Sequence, residues 1–337
     1  MKASNGFNLY IDISTACNAA CPFCIAPTIG RKDGSRFFDG VEFALSFTEQ
    51  IGGSVQVVGG EPLISHRFVP LLREIGKRSF SRVVVNTNGS FVTQAIVSEM
   101  KLNGVTDVNV SRHHYDDLAN QVIMRIRPAI SNETFTKNLD CILQSGLNLR
   151  MQCNLIRGSI DSVSEMLKYI TWCNALGCNE VSFSQLFPLS LFDYQVPIEI
   201  GYTEAKQIDL RHLVSEIDSC SEISPLTDDQ LCDLLTVSSI WGRLTWGSAP
   251  LDGENSGKRR FWYAPNATMF SIKTLSGYDA NGLPNPTEYD KDDDWELRDD
   301  VLAFAVLHSD GLVTSSWDRR ERVIFSPVLQ KESLCVA

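Results

Sequence analysis

Three cysteines stand close together near the start of the chain, in the stretch Cys17-Asn-Ala-Ala-Cys21-Pro-Phe-Cys24. Thiolates at this C-x3-C-x2-C spacing can converge on one small metal group. A structural zinc site needs a fourth cysteine or histidine nearby, and the next such residue along the chain is His66. An iron–sulfur cluster held by three protein thiolates keeps one iron open for another ligand. The spacing therefore favours a cluster over zinc.

The composition indicates the kind of protein that must position these thiols. The chain has 337 residues, of which 43% are hydrophobic, and a formal net charge of −11. This is enough for one large α/β domain, or a domain of about 200 residues with a smaller one. The apolar content excludes a disordered or fibrous chain, and the negative charge argues against a nucleic-acid-binding surface.

The N-terminal residues and the cysteine count suggest a compartment. The sequence MKASNGFNLYIDIS leads into an alternating strand without the apolar region of a secretory signal. The longest apolar runs stop far short of the roughly 18 residues that a membrane span needs. We therefore expect a cytoplasmic protein with reduced thiols that binds neither membrane nor nucleic acid. The other seven cysteines are expected to be buried structural thiols: Cys141, Cys153, Cys173, Cys178, Cys220, Cys232 and Cys335.

Strand and helix patterns alternate six times in the first two thirds of the chain. Strands are predicted at 8–14, 54–58, 82–87, 105–111, 147–155 and 180–186. Helices are predicted at 41–51, 68–77, 92–102, 133–144, 161–175 and 203–219. Three of the helices are followed by Gly104, Gly146 and Gly177, which suit the left-handed residue that ends a helix. Six βα units with short connections predict a parallel sheet with right-handed crossovers.

The predicted strands have one apolar and one polar face. In the first strand, Leu9 and Ile11 alternate with Tyr10 and Asp12. A parallel sheet covered on both faces would be apolar on both. We therefore predict an α/β fold, a partial (β/α)6 TIM-like barrel, whose polar interior binds a ligand at the C-terminal ends of the strands.

The alternation fades after Gly201, which suggests a second region. A capping box begins one more predicted helix, at 227–241, and short strands are predicted at 261–274, 301–307 and 312–317. We divide the chain into a barrel at 1–200 and an extension of helix and short strands at 201–337. The extension is expected to close the barrel and contribute to the substrate site. The acidic stretch 285–300 is interpreted as a solvated loop.

The predicted strands end in motifs that follow a fixed order. They are Gly59-Gly60-Glu61-Pro62, Asn86-Thr87-Asn88-Gly89, Asn109-Val-Ser111, Asn154-Leu-Ile156-Arg-Gly158-Ser-Ile-Asp161 and Ser184-Gln-Leu186. Each motif is weak by itself, since Gly-Gly and Asn-Gly are ordinary turn dipeptides. Together with the cysteine spacing after the first strand, this order resembles the radical S-adenosylmethionine (SAM) superfamily.

The resemblance implies an enzyme with two cofactors. Cys17, Cys21 and Cys24 would hold one [4Fe–4S] cluster. SAM would be bound by Phe23, Gly59, Gly60, Glu61, Asn88, Asn109, Ser111, Asn154, Ile156 and Leu186. A reducing protein such as flavodoxin or ferredoxin would supply an electron, SAM would be cleaved reductively, and a 5′-deoxyadenosyl radical would abstract a hydrogen atom from substrate. A 3-amino-3-carboxypropyl radical is the alternative outcome of the cleavage.

Within the superfamily, the chain most resembles the molybdenum-cofactor GTP cyclase branch, through CNLIRG and FSQLFPLS. That branch has a second cluster near a segment like HSDGLVTSSW. Here Ser316 stands about where a ligand cysteine would be, and no cysteine lies between Cys232 and Cys335. The C-terminal Gly-Gly of that enzyme is also replaced, by Val336-Ala337. We therefore expect a single cluster and no GTP cyclisation.

The substrate is less defined by the sequence than the cofactors are. We expect a small polar molecule of natural-product, nucleotide, sugar or amino-acid biosynthesis, because no peptide-recognition segment precedes the first strand; a ribosomal peptide is the alternative. His113, His114 and Tyr115 are candidates for proton transfer, with surface or capping roles as the alternative. The candidate substrate residues are Tyr10, Arg112, Gln152, Trp317 and Arg319.

Overall fold

The computed structural model describes residues 2–24, 33–186, 200–226, 259–265, 268–273, 301–315 and 323–327. Its strands are β1 Lys2–Asp12, β2 Ser54–Val58, β3 Val83–Thr87, β4 Asp107–Ser111, β5 Asn148–Leu155, β6 Glu180–Gln185, β7 Ser224–Pro225, β8 Arg259–Tyr263, β9 Met269–Lys273, β10 Val301–Leu307, β11 Val313–Thr314 and β12 Val323–Phe325. Its helices are α1 Phe37–Gln50, α2 Phe68–Ile75, α3 Gln94–Leu102, α4 Asp117–Met124, α5 Asn132–Ser145, α6 Val163–Ala175, α7 Ile200–Ala205 and α8 Leu210–Ser219.

The described strands form one sheet in the order β12-β11-β10-β1-β2-β3-β4-β5-β6-β9-β8-β7. Adjacent strands are parallel from β10 through to β9. The predicted parallel α/β arrangement, a partial TIM-like barrel, is therefore confirmed. Gly104, Gly146 and Gly177 have φ values of +81°, +76° and +83°, as expected for residues that end helices.

The structure corrects two predicted elements and adds one helix that was not predicted. The helix predicted at 203–219 is two helices, α7 and α8. The strand predicted at 261–274 is a hairpin of β8 and β9, which Pro265 interrupts and the hydrogen bond from Ala264 N to Thr268 O closes. The short helix α4 was not predicted, because eight residues give too little periodicity to recognise.

The residues after 201 contribute strands to both sides of the barrel. β9 pairs with β6, and β10 pairs with β1. β1 is also longer than predicted and has a register irregularity between Ala3 and Asn8. The division at residue 200 therefore stays a prediction. Strands from both sides of this position belong to one sheet. The predicted helix 227–241 and the acidic stretch 285–300 lie outside the described residues.

The main hydrophobic core lies between the sheet and the helices. Leu9, Ile11 and Ile13 of the first βα unit are at most 1% exposed and pack there with the apolar faces of the helices. The alternate residues of each strand face the opposite side, so the polar face predicted from the sequence is the inner face of the sheet. Within the described part of the chain, no helix is long and apolar enough to cross a membrane.

Candidate active site

The cysteine loop follows β1 and lies directly on the turn that follows β2. Gly60 N donates to Ser14 O at 2.9 Å, and Glu61 N donates to Ala16 O at 2.8 Å. A Cβ atom on Gly60 would lie 2.1 Å from Ala16 O, so only glycine allows this approach. The predicted Gly-Gly-Glu-Pro turn therefore positions the backbone just before Cys17.

Glu61 connects the ends of β2 and β3. Its carboxylate accepts hydrogen bonds from Thr87 Oγ1 at 2.7 Å, Asn88 N at 2.7 Å and Leu63 N at 3.1 Å. Burial raises its pKa, while these hydrogen bonds act in the opposite direction. The residue is only 1% exposed. Although it lies at the end of a strand, this acid is buried, and both of its oxygens accept hydrogen bonds from within the protein.

Asn88 connects β3 to the cysteine loop. Its side-chain Nδ2 donates to Asn18 Oδ1 at 2.7 Å, and its Oδ1 accepts from Ser90 N at 2.9 Å. Asn18 lies between the first two cysteines. Sequence reasoning did not identify Asn18, although its place inside the cysteine spacing was a usable signal.

The three loop cysteines are free thiols that share one locality. Burial raises the pKa of Cys17. Burial, together with the nearby Cys24 and Cys17 thiols, raises the pKa of Cys21 to about 12. Ala19 N donates to Cys17 Sγ at 3.3 Å, which favours the thiolate. Mutual repulsion among thiolates is relieved by a bound cationic group, so this set of donors fits an iron–sulfur cluster. Among the described residues, no three His, Cys, Asp or Glu side chains are arranged to hold a single metal ion.

A small apolar cluster lies against the cysteine loop. It contains Ile123, Met124, Ile126, Ile156 and Leu186, with Ala19, Cys21 and Phe23 packed against it. Three of the residues predicted to contact SAM, namely Phe23, Ile156 and Leu186, therefore lie together. They come from the loop after β1 and from the ends of β5 and β6, so the predicted order of strand-end motifs produces one site.

His113 borders this cluster and is held in one tautomer. Its Nδ1 accepts from Asn154 N at 2.9 Å, so the ring proton lies on Nε2. Its ring is edge-to-face with Phe23, with centroids 5.0 Å apart. Burial lowers its pKa to about 3, so the ring is neutral near pH 7. His113 therefore positions the end of β5 and Phe23, and its basicity is too low for general-base chemistry.

The neighbours of His113 face the helices instead of the cysteine loop, which corrects three candidate residues. Arg112 is 2% exposed, donates to Asp117 and Asn132 at 2.6 and 2.7 Å, and lies over aromatic rings of the helical layer. His114 Nδ1 accepts from Asp116 N. Tyr115 donates to Glu165 on α6 and borders a surface groove of about 710 Å³ along that helix. Because these side chains point away from the inner face, neither substrate binding by Arg112 nor proton transfer by His114 and Tyr115 fits the geometry.

The inner face carries buried polar atoms that have room for a ligand. Asn109 donates to Asn86 Oδ1 at 2.8 Å, and its own Oδ1 is buried without a hydrogen-bond partner in the described structure. The same is true of Ser184 Oγ and Ser271 Oγ. Unsatisfied buried polar atoms are costly unless a bound molecule or water pairs with them. A polar molecule such as SAM fits this face.

The remaining sequence candidates fall into three groups. Ser111 and Gln152 are paired in register on the inner face. Tyr10 lies at the β1–β10 side, edge-on to Phe304 at 6.0 Å. Trp317 and Arg319 lie outside the described residues.

Sequence reasoning did not identify Arg67, which joins three segments around the cysteine loop. Its guanidinium donates to Ser309 O at 2.7 Å, Gly34 O at 2.6 Å and Ile13 O at 3.3 Å, and it lies over the ring of Phe37. The turn after β10 is thereby attached to both flanks of the loop. A single arginine outside any periodic pattern gave no signal of this contact.

Comparison with known proteins identifies the domain that this geometry builds. Residues 11–161 match the model of the radical SAM superfamily. This match to a radical SAM domain covers a little under half of the chain. Proteins of this superfamily are enzymes that use a [4Fe–4S] cluster and SAM.

Two curated relatives of the radical SAM domain are GTP 3′,8-cyclases. A probable GTP 3′,8-cyclase of Saccharolobus islandicus is 25% identical over 199 residues, covering 55% of this chain and 58% of the relative. The GTP 3′,8-cyclase of Synechocystis is 24% identical over 165 residues, covering 48% and 49%. The chain thus spans about half the length of these relatives.

Among solved structures, Streptococcus suis SuiB bound to precursor peptide SuiA resembles this chain with a TM-score of 0.50 and 18% identity, over 69% of this chain and 46% of SuiB. At this identity the likeness concerns the fold alone. It agrees with the partial barrel found here.

Proposed function

We propose that the chain is a radical SAM enzyme that holds one [4Fe–4S] cluster on Cys17, Cys21 and Cys24 and cleaves SAM reductively. The observation that carries this proposal is the contact between the cysteine loop and two strand-end motifs. The loop backbone bonds to Gly60 and Glu61, and Asn18 bonds to Asn88. Cluster ligands and SAM motifs are therefore parts of one structural unit.

The chain's own residues would bind and shield the cofactors. When bound, the cluster and SAM supply a carbon-centred radical. Phe23, Ile156 and Leu186 form an apolar wall that would exclude water from this radical. Asn109 Oδ1 and Ser184 Oγ offer unpaired acceptors at the inner face. Gly59, Ser111 and Asn154 stay proposed SAM contacts at the same ends of the strands.

The proposed substrate is a small polar molecule that gives up a hydrogen atom. Near the N-terminal ends of the strands, the inner face carries two ion pairs, Arg82 with Asp107 and Arg150 with Glu180. These charges are therefore already balanced. Nearer the cysteine loop the inner face carries hydroxyl, amide and carboxylate groups, including Gln152 and the buried Asp12. This distribution supports a small polar substrate of a biosynthetic reaction. Tyr10, Trp317 and Arg319 stay proposed substrate contacts.

The test is anaerobic reconstitution followed by reduction with dithionite in the presence of SAM. We expect about four irons per chain, as one cluster requires, and release of 5′-deoxyadenosine. Cys17→Ala, Cys21→Ala and Cys24→Ala should each abolish SAM cleavage. Cys173→Ala is the matched control, because this thiol is fully buried in the main core. About eight irons, with half retained in the triple variant, would contradict a single cluster.

The same assay separates the alternatives. Release of methylthioadenosine would indicate the 3-amino-3-carboxypropyl radical instead. Peptide maturation is the second candidate, because SuiB, which shares the fold, has been observed with its precursor peptide. Stimulation of SAM cleavage by a metabolite extract, and not by a peptide pool, would support a small substrate. The opposite result would support the maturase.

A further inference from the structure

The short helix α4 bonds directly to the cysteine loop through its C-terminal end. Ala20 N donates to Met124 O at 3.0 Å, and Arg127 N donates to Asn18 O at 2.7 Å. Cys21 Sγ lies 3.6 Å from the same Met124 oxygen. The C-terminal end of α4 is therefore in contact with a proposed cluster ligand.

The opposite face of α4 is apolar and open to solvent. Leu118 is 78% exposed and Val122 is 73% exposed. Residues four apart in a helix lie on the same face, so the two side chains form one patch. Ile123 and Met124 on the inner face are buried against the loop. One helix thus has an exposed apolar face and a buried face that packs against the loop.

The patch lies beside positive charge on an otherwise acidic protein. Arg125 and Arg127 are exposed where α4 ends, whereas the chain as a whole carries −11. Of the acids at the start of α4, Asp116 caps the helix and Asp117 is paired with Arg112. An acidic partner would be repelled by the average surface and attracted here.

We propose that this α4 surface, consisting of Leu118, Val122, Arg125 and Arg127, is the docking site of a small acidic one-electron carrier protein. The proposal rests on the proposed function, because a carrier is needed only if a cluster is present. One electron passes from the carrier, which is oxidised, to the cluster, which is reduced. A small patch with charged edges is typical of weak electron-transfer complexes, which must dissociate quickly.

The experiment measures reduction of the cluster of the reconstituted enzyme by reduced flavodoxin in a stopped-flow instrument. Val122→Glu and Arg127→Glu should each lower the second-order rate constant at least about tenfold. Val122→Lys should leave the rate constant unchanged or raise it. The wild-type rate constant should fall as salt is added. Leu102→Glu is the matched control, because Leu102 is 80% exposed on α3 and is not in contact with the loop.

Dithionite distinguishes failure of this proposal from failure of the proposed function. If wild-type enzyme does not cleave SAM with dithionite, the proposed function is wrong. If the α4 variants cleave SAM normally with dithionite and lose only flavodoxin-driven reduction, the docking site is supported. The docking site would be overturned if the α4 variants lost activity equally with both reductants, or if flavodoxin reduced them at the wild-type rate. It would also be overturned if Leu102→Glu lowered the rate constant as much as they do. A dimer, seen by sedimentation, that Val122→Glu dissociates would overturn it too.

Discussion

Two buried ionisable residues show how single side chains hold this site together. Glu61 and His113 both lie at strand ends, both are at most 5% exposed, and each bonds to the backbone of a neighbouring strand end. Their protonation states follow from burial: the pKa of Glu61 is raised and that of His113 is lowered. Each residue therefore holds a neighbouring strand end in place, and its contribution can be measured as a change in the free energy of unfolding.

His113 should make the protein less stable in mild acid. Its pKa is about 3 when folded, against an ordinary value of 6.5, so the unfolded chain binds the extra proton. Stability is therefore full above about pH 6.5 and falls as the pH decreases towards 3. Between pH 7.5 and 5.5 this group should lower the free energy of unfolding by about 1.4 kcal/mol. Urea titrations at both pH values measure the free energy of unfolding. In His113→Gln the decrease between pH 7.5 and 5.5 should be smaller by this amount. An equal decrease in wild type and variant would contradict the prediction.

Glu61→Ala should destabilise the fold as well as the site. The change leaves the donors of Thr87, Asn88 and Leu63 without their acceptor, which should lower the free energy of unfolding by roughly 3 kcal/mol. Glu133→Ala, at an exposed acid on α5, is the control and should have little effect. Urea denaturation gives the free energy, and calorimetry gives SAM affinity. Loss of SAM binding at unchanged stability would instead show that Glu61 contacts SAM directly.

At the scale of elements, the site is a set of loops that depend on one another. The loop after β1, the turn after β2, the end of β3 and the C-terminal end of α4 are joined by backbone hydrogen bonds or by the amides of Asn18 and Asn88. The turn after β10 joins them through Arg67. A substitution that displaces one of these loops should therefore move the three cysteines relative to one another while it leaves the sheet intact.

Gly60→Ala tests this dependence. The added methyl group would overlap Ala16 O, so the loop must move away from the turn, at a cost of about 1–3 kcal/mol. We expect a several-fold loss of iron after reconstitution, with normal circular dichroism. Gly201→Ala is the matched control, since a Cβ there meets nothing within 4 Å. Normal iron content in Gly60→Ala would show that the loop tolerates the displacement.

At the scale of the whole molecule, the sheet makes the C-terminal residues part of the barrel. β10 is parallel to β1 on one side, and β9 is parallel to β6 on the other. Deleting everything from Phe261 onward would remove both strands. Such a deletion would expose the edges of the barrel, so it would disturb the fold as well as any substrate site.

Leu307→Ala in the full-length chain tests this integration. Leu307 is at the end of β10, is fully buried, and packs in the same core as β1 and α1. Its truncation should lower the free energy of unfolding by about 2–5 kcal/mol in one cooperative transition. Thermal unfolding followed by circular dichroism and by tryptophan fluorescence measures this. Two separate transitions, with only one shifted, would indicate an independent C-terminal unit.

The sequence by itself indicated the cofactors and determined the parallel barrel. Cysteine spacing, glycine turns and the two periodicities are local properties, so β2 at Ser54–Val58 and the order of strand-end motifs could be predicted. Only the tertiary structure decided which way side chains at strand ends point. Adjacent residues Arg112 and His113 face opposite layers, and Glu61 is buried by contacts from β3. It also decided that β9 and β10 join the sheet, because pairing between distant strands depends on partners that no local pattern specifies.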